Sequence, residues 1–364
     1  MLAATPLLAA GRTGAHSPAR IAQSQAEKLE VSITATMQTL SIPGAIVLVD
    51  QAGADVWTAA FGISDIDTGA PMTSEMHMRI GSVTKTMTAT VILQLIDEGA
   101  LALDDNLATV LPDLANAPHA RHITVRHLLS MTSGVFDLLD DEAVFGEILE
   151  NPARTWTPEE LVEIAFANEP AFAPGEDIAY SNTNYMLLGM LVEQVTGQSA
   201  ADAFHVRLFE PLGMTHTSLP ATADLPKPFA RGYSVDLSGQ TEHLIDWTGL
   251  NPTVAWTGGG VVSTVGDLHV WMQALVDGSL ISKPLQRERM SFTTIRPGYS
   301  YGLGIANYDG MIGHEGSILG YHSFAGHDTE TGDTVIVLAN LDPAGGDQDA
   351  ATAIAEAILE ELAL

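Results

Sequence analysis

The stretch Arg79-Ile80-Gly81-Ser82-Val83-Thr84-Lys85 runs directly into Thr86–Asp97, an apolar helical pattern that stops at Glu98-Gly99. Glycine suits the left-handed residue that ends a helix, so Ser82 opens a helix whose body is buried. Lys85 then falls on the same helical face, one turn further on and within reach of the hydroxyl. The helix N-terminus favours negative charge developing at that serine. A serine hydroxyl is a weak nucleophile until a neighbouring base takes its proton, and a lysine serves once burial or a nearby cation lowers its pKa. Taken alone, S-x-x-K is also what an N-cap serine followed by an unrelated lysine looks like, so the reading needs partners elsewhere in the chain.

Two such partners are present. Tyr180-Ser181-Asn182 sits on a loop after Pro174-Gly175, just before a helix marked by Tyr185, Leu188, Val192 and Val195 and ended by Gly197. A tyrosine there can exchange protons with Ser82 and a leaving group, and the Asn182 amide can hydrogen-bond a substrate amide. Near the other end, Gly313-His314-Glu315-Gly316-Ser317 closes a strand. His314 can sense or donate a proton, and Gly316 lets a substrate lie against the strand. The Ser317 and Ser82 N–H groups together would form an oxyanion hole.

In this order and with this wide separation, the three elements resemble the serine β-lactamase and penicillin-binding DD-peptidase superfamily. The match is to its class C-like branch, with Y-x-N and with H-x-G in place of K-T-G. The resemblance extends over Ile42–Leu359 and takes in Gln94–Leu101, His127–Gly134 and Thr257–Thr264. It implies a mixed α/β domain with an antiparallel sheet, an inserted all-α domain, and an acyl-enzyme on Ser82 that water resolves. It also implies amide or peptide bonds next to D-amino acids as substrates, in the manner of DD-carboxypeptidases, D-aminopeptidases and D-amino-acid amidases. Carboxylesterases and β-lactamases use the same machinery. A catalytically silent homologue that binds peptidoglycan or a partner is the alternative of another class, and the intact Ser82, Lys85 and Tyr180 argue against it.

In relatives that cleave a free C-terminal D-alanine, groups on or beside the K-T-G or H-T-G strand hold the substrate carboxylate. Here Glu315 follows His314, and Gly302–Asp309 contains no arginine or lysine. If Glu315 faces the cleft it repels such a carboxylate, so amides, amino-terminal D-residues and esters are the expected substrates. Activity is expected to fall in acid through Lys85 or Tyr180, and His314 would add a group with an unperturbed pKa of about 6.5.

Outward from these motifs, the chain reads as three regions. Residues 1–25 are a tail or signal remnant. Residues 26–92 and 256–364 form one discontinuous sheet domain, and 93–255 are mainly helical. Ile46–Asp50 and Val56–Phe61 read as a hairpin across Gln51–Asp55, while Gly302–Asn307, Met311–His314, Tyr321–His327 and Thr334–Asn340 read as further strands. Asp349–Leu362 is a helix with Ile354, Ile358 and Leu362 on one face.

The 364 residues carry 45 acidic against 15 basic side chains, a formal charge of -30, so no basic face for a nucleic acid can be assembled. With no cysteine, disulfides, thiolate metal sites and thiol nucleophiles are excluded. No apolar run reaches the roughly 18 residues of a membrane span. Met1–Ala10 is apolar but lacks a basic start; the resemblance, whose bacterial members are commonly exported, favours a periplasmic or secreted protein, and the incomplete signal leaves a cytoplasmic one as the alternative. Neither cofactor nor metal is implied: His119, His122 and His127 cluster without a His-Glu-x-x-His pattern. Gly298-Tyr299-Ser300-Tyr301-Gly302 matches G-x-S-x-G but lacks the preceding strand and following helix of a nucleophile elbow. The expected partner is a small-molecule or peptide substrate.

Overall fold

The two β-prone runs flanking Gln51–Asp55 pair antiparallel as β1 (Gly44–Asp50) and β2 (Trp57–Asp65), from Gly44 opposite Gly62 to Val49 opposite Trp57. The computed structural model describes residues 19–20, 23–52, 54–235, 243–342 and 349–363. After β3 (Ala70–Pro71), the remaining strands of the main sheet come from the last quarter of the chain. They are β4 (Thr293–Arg296), β5 (Tyr299–Tyr301), β6 (Ala306–Tyr308), β7 (Met311–Ile318), β8 (Tyr321–Asp328) and β9 (Thr334–Ala339). The nine strands lie in the order β4-β5-β6-β7-β8-β9-β1-β2-β3, each antiparallel to its neighbours. Pairing of β9 with β1 joins the two ends of the chain in one sheet.

The helices that position the site are α1 (Gln23–Thr39), α2 (Thr84–Asp97), α3 (Glu142–Glu150), α4 (Pro158–Ala167), α5 (Asn182–Thr196), α6 (Val265–Asp277) and α7 (Ala350–Ala363). Both faces of the central strands are covered, which is why β1 and β9 read as unbroken apolar runs. Ala45, Val47 and Val49 face a core shared with Leu29 and Ile33 of α1 and Ile354 and Ile358 of α7. Ile46 and Leu48 face the opposite core, which continues through α2, α5 and α6. Trp271 of α6, fully buried, donates its indole N–H to Thr86 Oγ1 of α2 at 2.8 Å. Helix α2 is buried on nearly all sides, as its continuous apolar and threonine sequence demands.

One local reading is corrected. Of Gly302–Asn307 only the end joins a strand, because Gly304 takes φ +71° and turns the chain, its N–H donating to Leu129 O at 3.0 Å. Within residues 1–25, Ala19–Arg20 pairs in parallel with Ala54–Asp55, and α1 begins at Gln23. Met1–Ala10 lies outside the described residues. Among those residues no helix is long and apolar enough to cross a membrane.

Candidate active site

Ser82 lies in a tight helical turn, Gly81–Val83, that leads into α2. The turn is pressed against β7. Gly81 has φ +49°, and a Cβ on it would lie 2.7 Å from the Ser317 nitrogen; one on Gly316 would lie 2.1 Å from Ile80 O and 2.9 Å from the Ser82 nitrogen. Only residues without a side chain allow the two backbones to come this close, and the approach puts Ser82 and Ser317 on the wall of one cavity.

Lys85, fully buried, donates from Nζ to Ser82 Oγ at 3.0 Å, to Asn182 Oδ1 at 2.8 Å and to Gly258 O at 2.7 Å. Three acceptors satisfy the three hydrogens of an ammonium. Burial nevertheless lowers its pKa from 10.5 to about 7, against the opposing pull of Asp137. In the neutral amine the two carbonyl oxygens take the two remaining hydrogens, and the lone pair is left facing the Ser82 hydroxyl. Desolvation holds the Tyr180 phenol well above its ordinary pKa, against the opposing pull of the Ser82 hydroxyl. The Tyr180 side chain is 38% exposed, which moderates that push without reversing it. Of the two proton acceptors, Lys85 is therefore the one that is free-base near neutrality, while Tyr180 remains a phenol.

Asn182 is the first residue of α5 rather than a loop residue. Its Oδ1 is taken by Lys85 and its Nδ2 donates to Asp137 Oδ2 at 2.9 Å, so one Nδ2 hydrogen is left for a substrate amide. His314 stands beside the Tyr180 ring, centroids 6.2 Å apart, but is 1% exposed and does not line the cavity. A carbonyl can only accept, so His314 Nδ1 carries the hydrogen given to Glu315 O at 2.5 Å, and Nε2 accepts from the Tyr301 hydroxyl at 3.1 Å. Burial, then the nearby Lys85, lowers the imidazole pKa to about 3. The unperturbed pKa of about 6.5 expected of His314 therefore does not apply at this burial, and the imidazole stands beside the Tyr180 and Tyr301 rings.

Glu315 is corrected as well. On a strand successive side chains point to opposite faces, and Glu315 points away from Ser82, into a groove shared with Arg296, Tyr308 and Thr352 of α7. Burial raises its carboxyl pKa there. The cavity at Ser82 measures about 410 Å³. Leu139, Phe145, Ile148, Leu250 and Val254 form an apolar wall, Asn182 and Ser317 lie beside the nucleophile, and among the described residues the charged lining consists of Asp342 and Asp349. Asp342 accepts the Ser317 hydroxyl at 3.1 Å, and Asp349 lies 3.6 Å from the buried His322. A roomier groove of about 710 Å³ beside Leu111, Phe166 and Met190 holds no serine and no lysine. Ser300 sits mid-strand in β5, paired with Asn307, with no helix following.

Sequence reasoning missed Asp137, Asp342 and the Gly258 carbonyl. Asp137 lies three residues beyond the stretch His127–Gly134, and Asp342 follows β9, beyond any motif.

The chain is similar to known proteins over most of its length. The family model described as Beta-lactamase matches residues 29–359. A D-stereospecific amidohydrolase from Streptomyces sp. is 32% identical, superposes with a TM-score of 0.80, and is matched over 91% of this chain and 97% of its own. The D-amino acid amidase of Ochrobactrum anthropi SV3, in complex with L-phenylalanine amide, is 26% identical with a TM-score of 0.83, over 94% of this chain and 99% of its own. Penicillin-binding protein 4 of Amycolatopsis lactamdurans is 32% identical over 304 residues, 78% of this chain and 77% of that protein. Other curated relatives are longer, and the chain spans 64% of their length at 26% identity.

Proposed function

The chain belongs to the beta-lactamase family, and from that premise we propose that it hydrolyses amides of D-amino acids that carry a free α-amino group, through an acyl-enzyme on Ser82. One observation carries the substrate class. The cavity beside Ser82 is apolar on one side and, among the described residues, its charged lining is acidic, with Asp342 and Asp349 and neither lysine nor arginine. A protonated α-amine is stabilised by such a lining, and the free carboxylate of a D-Ala-D-Ala terminus is repelled. The expected preference against free carboxylates is kept, but its source moves from Glu315 to these two aspartates. The Streptomyces and Ochrobactrum relatives, whose names state D-stereospecific amide substrates, support the reading.

In the mechanism, neutral Lys85 takes the Ser82 proton as Oγ attacks the amide carbon. The negative charge moves to the carbonyl oxygen, between the Ser82 and Ser317 N–H groups. Tyr180 passes a proton to the leaving nitrogen and is reprotonated from Lys85; the C–N bond breaks and ammonia or an amine departs. Water then adds to the ester, giving its proton to Lys85, and releases the D-amino acid with Ser82 restored.

Turnover of D-phenylalanine amide, L-phenylalanine amide, N-acetyl-D-Ala-D-Ala, nitrocefin and a p-nitrophenyl ester tests the assignment. The D-amide should be the best substrate, and Asp342→Asn should lower its kcat/KM by roughly 10-fold, the scale of a lost charged contact, while sparing an N-acetylated amide. Release of D-alanine from N-acetyl-D-Ala-D-Ala as fast as ammonia from the D-amide would contradict it.

A further inference from the structure

A continuous line of side chains runs from Ser82 to Asp137. Ser82 Oγ accepts from Lys85 Nζ at 3.0 Å, Asn182 Oδ1 accepts from the same Nζ at 2.8 Å, and Asp137 Oδ2 accepts from Asn182 Nδ2 at 2.9 Å. The other Asp137 oxygen accepts the Leu139 N–H at 3.2 Å, capping the turn Leu138–Asp140 and fixing where the carboxylate stands. A primary amide can sit either way round. Reversed, Asn182 would set its oxygen against the Asp137 carboxylate and its NH2 against Lys85, acceptor on acceptor and donor on donor. Asp137 thus dictates that the Asn182 oxygen faces Lys85, whether Lys85 is charged or neutral. With Gly258 O, that oxygen occupies two Lys85 hydrogens and leaves the lone pair to Ser82.

We propose that Asp137 is a positioning residue of the hydrolase: through Asn182 it fixes the carbonyl to which Lys85 donates, and it supplies the negative charge against which Lys85 gives up its proton. This rests on the reading of Ser82 and Lys85 as nucleophile and base. The remaining groups around Lys85 are the Tyr180 ring, its centroid 4.8 Å from Nζ, the Tyr185 ring at 5.4 Å and the neutral imidazole of His314. Around Asp137 stand Lys85, the like charge of Asp140, and Tyr180. Asp137 is accordingly the carboxylate that opposes the effect of burial on Lys85. Removing it lowers the pH at which Lys85 becomes a free base.

The test is the rate at which a fluorophosphonate phosphonylates Ser82, with loss of fluoride, between pH 5 and 9, which requires no knowledge of the natural substrate. Asp137→Asn and Asp137→Ser each retain a capping group for the turn and remove the charge, whereas Asp137→Glu keeps it. We expect the acid limb of the first two to move to lower pH by at least about half a unit, less than the roughly 1–3 units of a direct ion contact. The Glu variant should keep the limb of the unaltered protein. Limbs that stay in place in folded Asn and Ser variants, whatever their plateau rates, would reduce Asp137 to a turn cap and overturn the proposal. Failure of the unaltered protein to be phosphonylated at Ser82 would overturn this inference together with the function beneath it. Phosphonylation with the shifted limbs but no turnover of D-amino-acid amides would count against the substrate alone.

Discussion

Between Lys85 and Tyr180 the deciding quantity is which group can be deprotonated at neutral pH. Burial brings Lys85 to about 7 and pushes Tyr180 upward, so the acid limb of kcat/KM belongs to Lys85 and should fall near pH 7. His314, held to about 3, stays neutral throughout; His314→Asn should leave the limb in place, and a limb displaced by a unit would return the imidazole to the proton path. Lys85→Ala and Tyr180→Phe should each cost on the order of 100-fold in turnover, and near-normal rates in either would contradict its role. The same burial makes Lys85 a source of pH-dependent stability. An unfolded lysine keeps its proton to about pH 10.4, whereas folded Lys85 loses it near 7. Between these values the unfolded chain binds more protons, and stability rises with pH. Relative to Lys85→Met, the unaltered protein should therefore gain up to about 1.4 kcal/mol per pH unit from about pH 7 to 10, measured by urea unfolding. A constant difference would mean that Lys85 is charged in the folded state. At this scale Ser82, Lys85, Tyr180 and Asn182 were legible, because spacing on a helix and before a helix declares proximity. The protonation of His314 was not, since it depends on Tyr301 and on burial by distant parts of the chain.

The meeting of the Ser82 turn with β7 rests on two glycines, and it makes a prediction of its own. Gly316→Ala would drive a methyl group to within 2.1 Å of Ile80 O, so β7 must move off the turn and carry the Ser317 N–H with it. Loss of one oxyanion donor costs about 10²–10³-fold in kcat, and the variant should lose that much activity with little change in KM. Gly146→Ala, in α3, where an added Cβ meets nothing within 4 Å, should instead be fully active and slightly more stable. Equal behaviour of the two variants would contradict the close packing. Element by element, the hairpin β1–β2, helix α7 and the glycine that ends α5 followed from local pattern. Helix α1 went unread although Leu29, Ile33 and Met37 recur at four-residue spacing and are buried against the sheet. Glu315 was placed by its neighbour in sequence, when strand alternation puts it on the other face from His314.

Across the whole molecule the formal charge of -30 sets a negative field that a cationic substrate descends. Such attraction is screened with a Debye length of about 10 Å at 0.1 M salt. For D-phenylalanine amide kcat/KM should fall as salt rises from 20 to roughly 500 mM, while its N-acetyl derivative should barely respond; parallel responses would remove the electrostatic argument for a free amine. The joining of the two chain ends in one sheet followed from the strand-like patterns at both ends, and the exclusion of nucleic acid rested on charge alone. The acidic cavity lining was beyond the sequence, because Asp342, on the short strand Leu341–Asp342, and Asp349, just before α7, come to the same cavity as Ser82 only in the folded chain. All of this depends on Ser82 being the nucleophile, and intact-protein mass with peptide mapping after fluorophosphonate treatment tests that most directly. One adduct per chain, located on Ser82 and absent from Ser82→Ala together with all amide hydrolysis, is the predicted result. An adduct on Ser300, or hydrolysis that survives in Ser82→Ala, would contradict it.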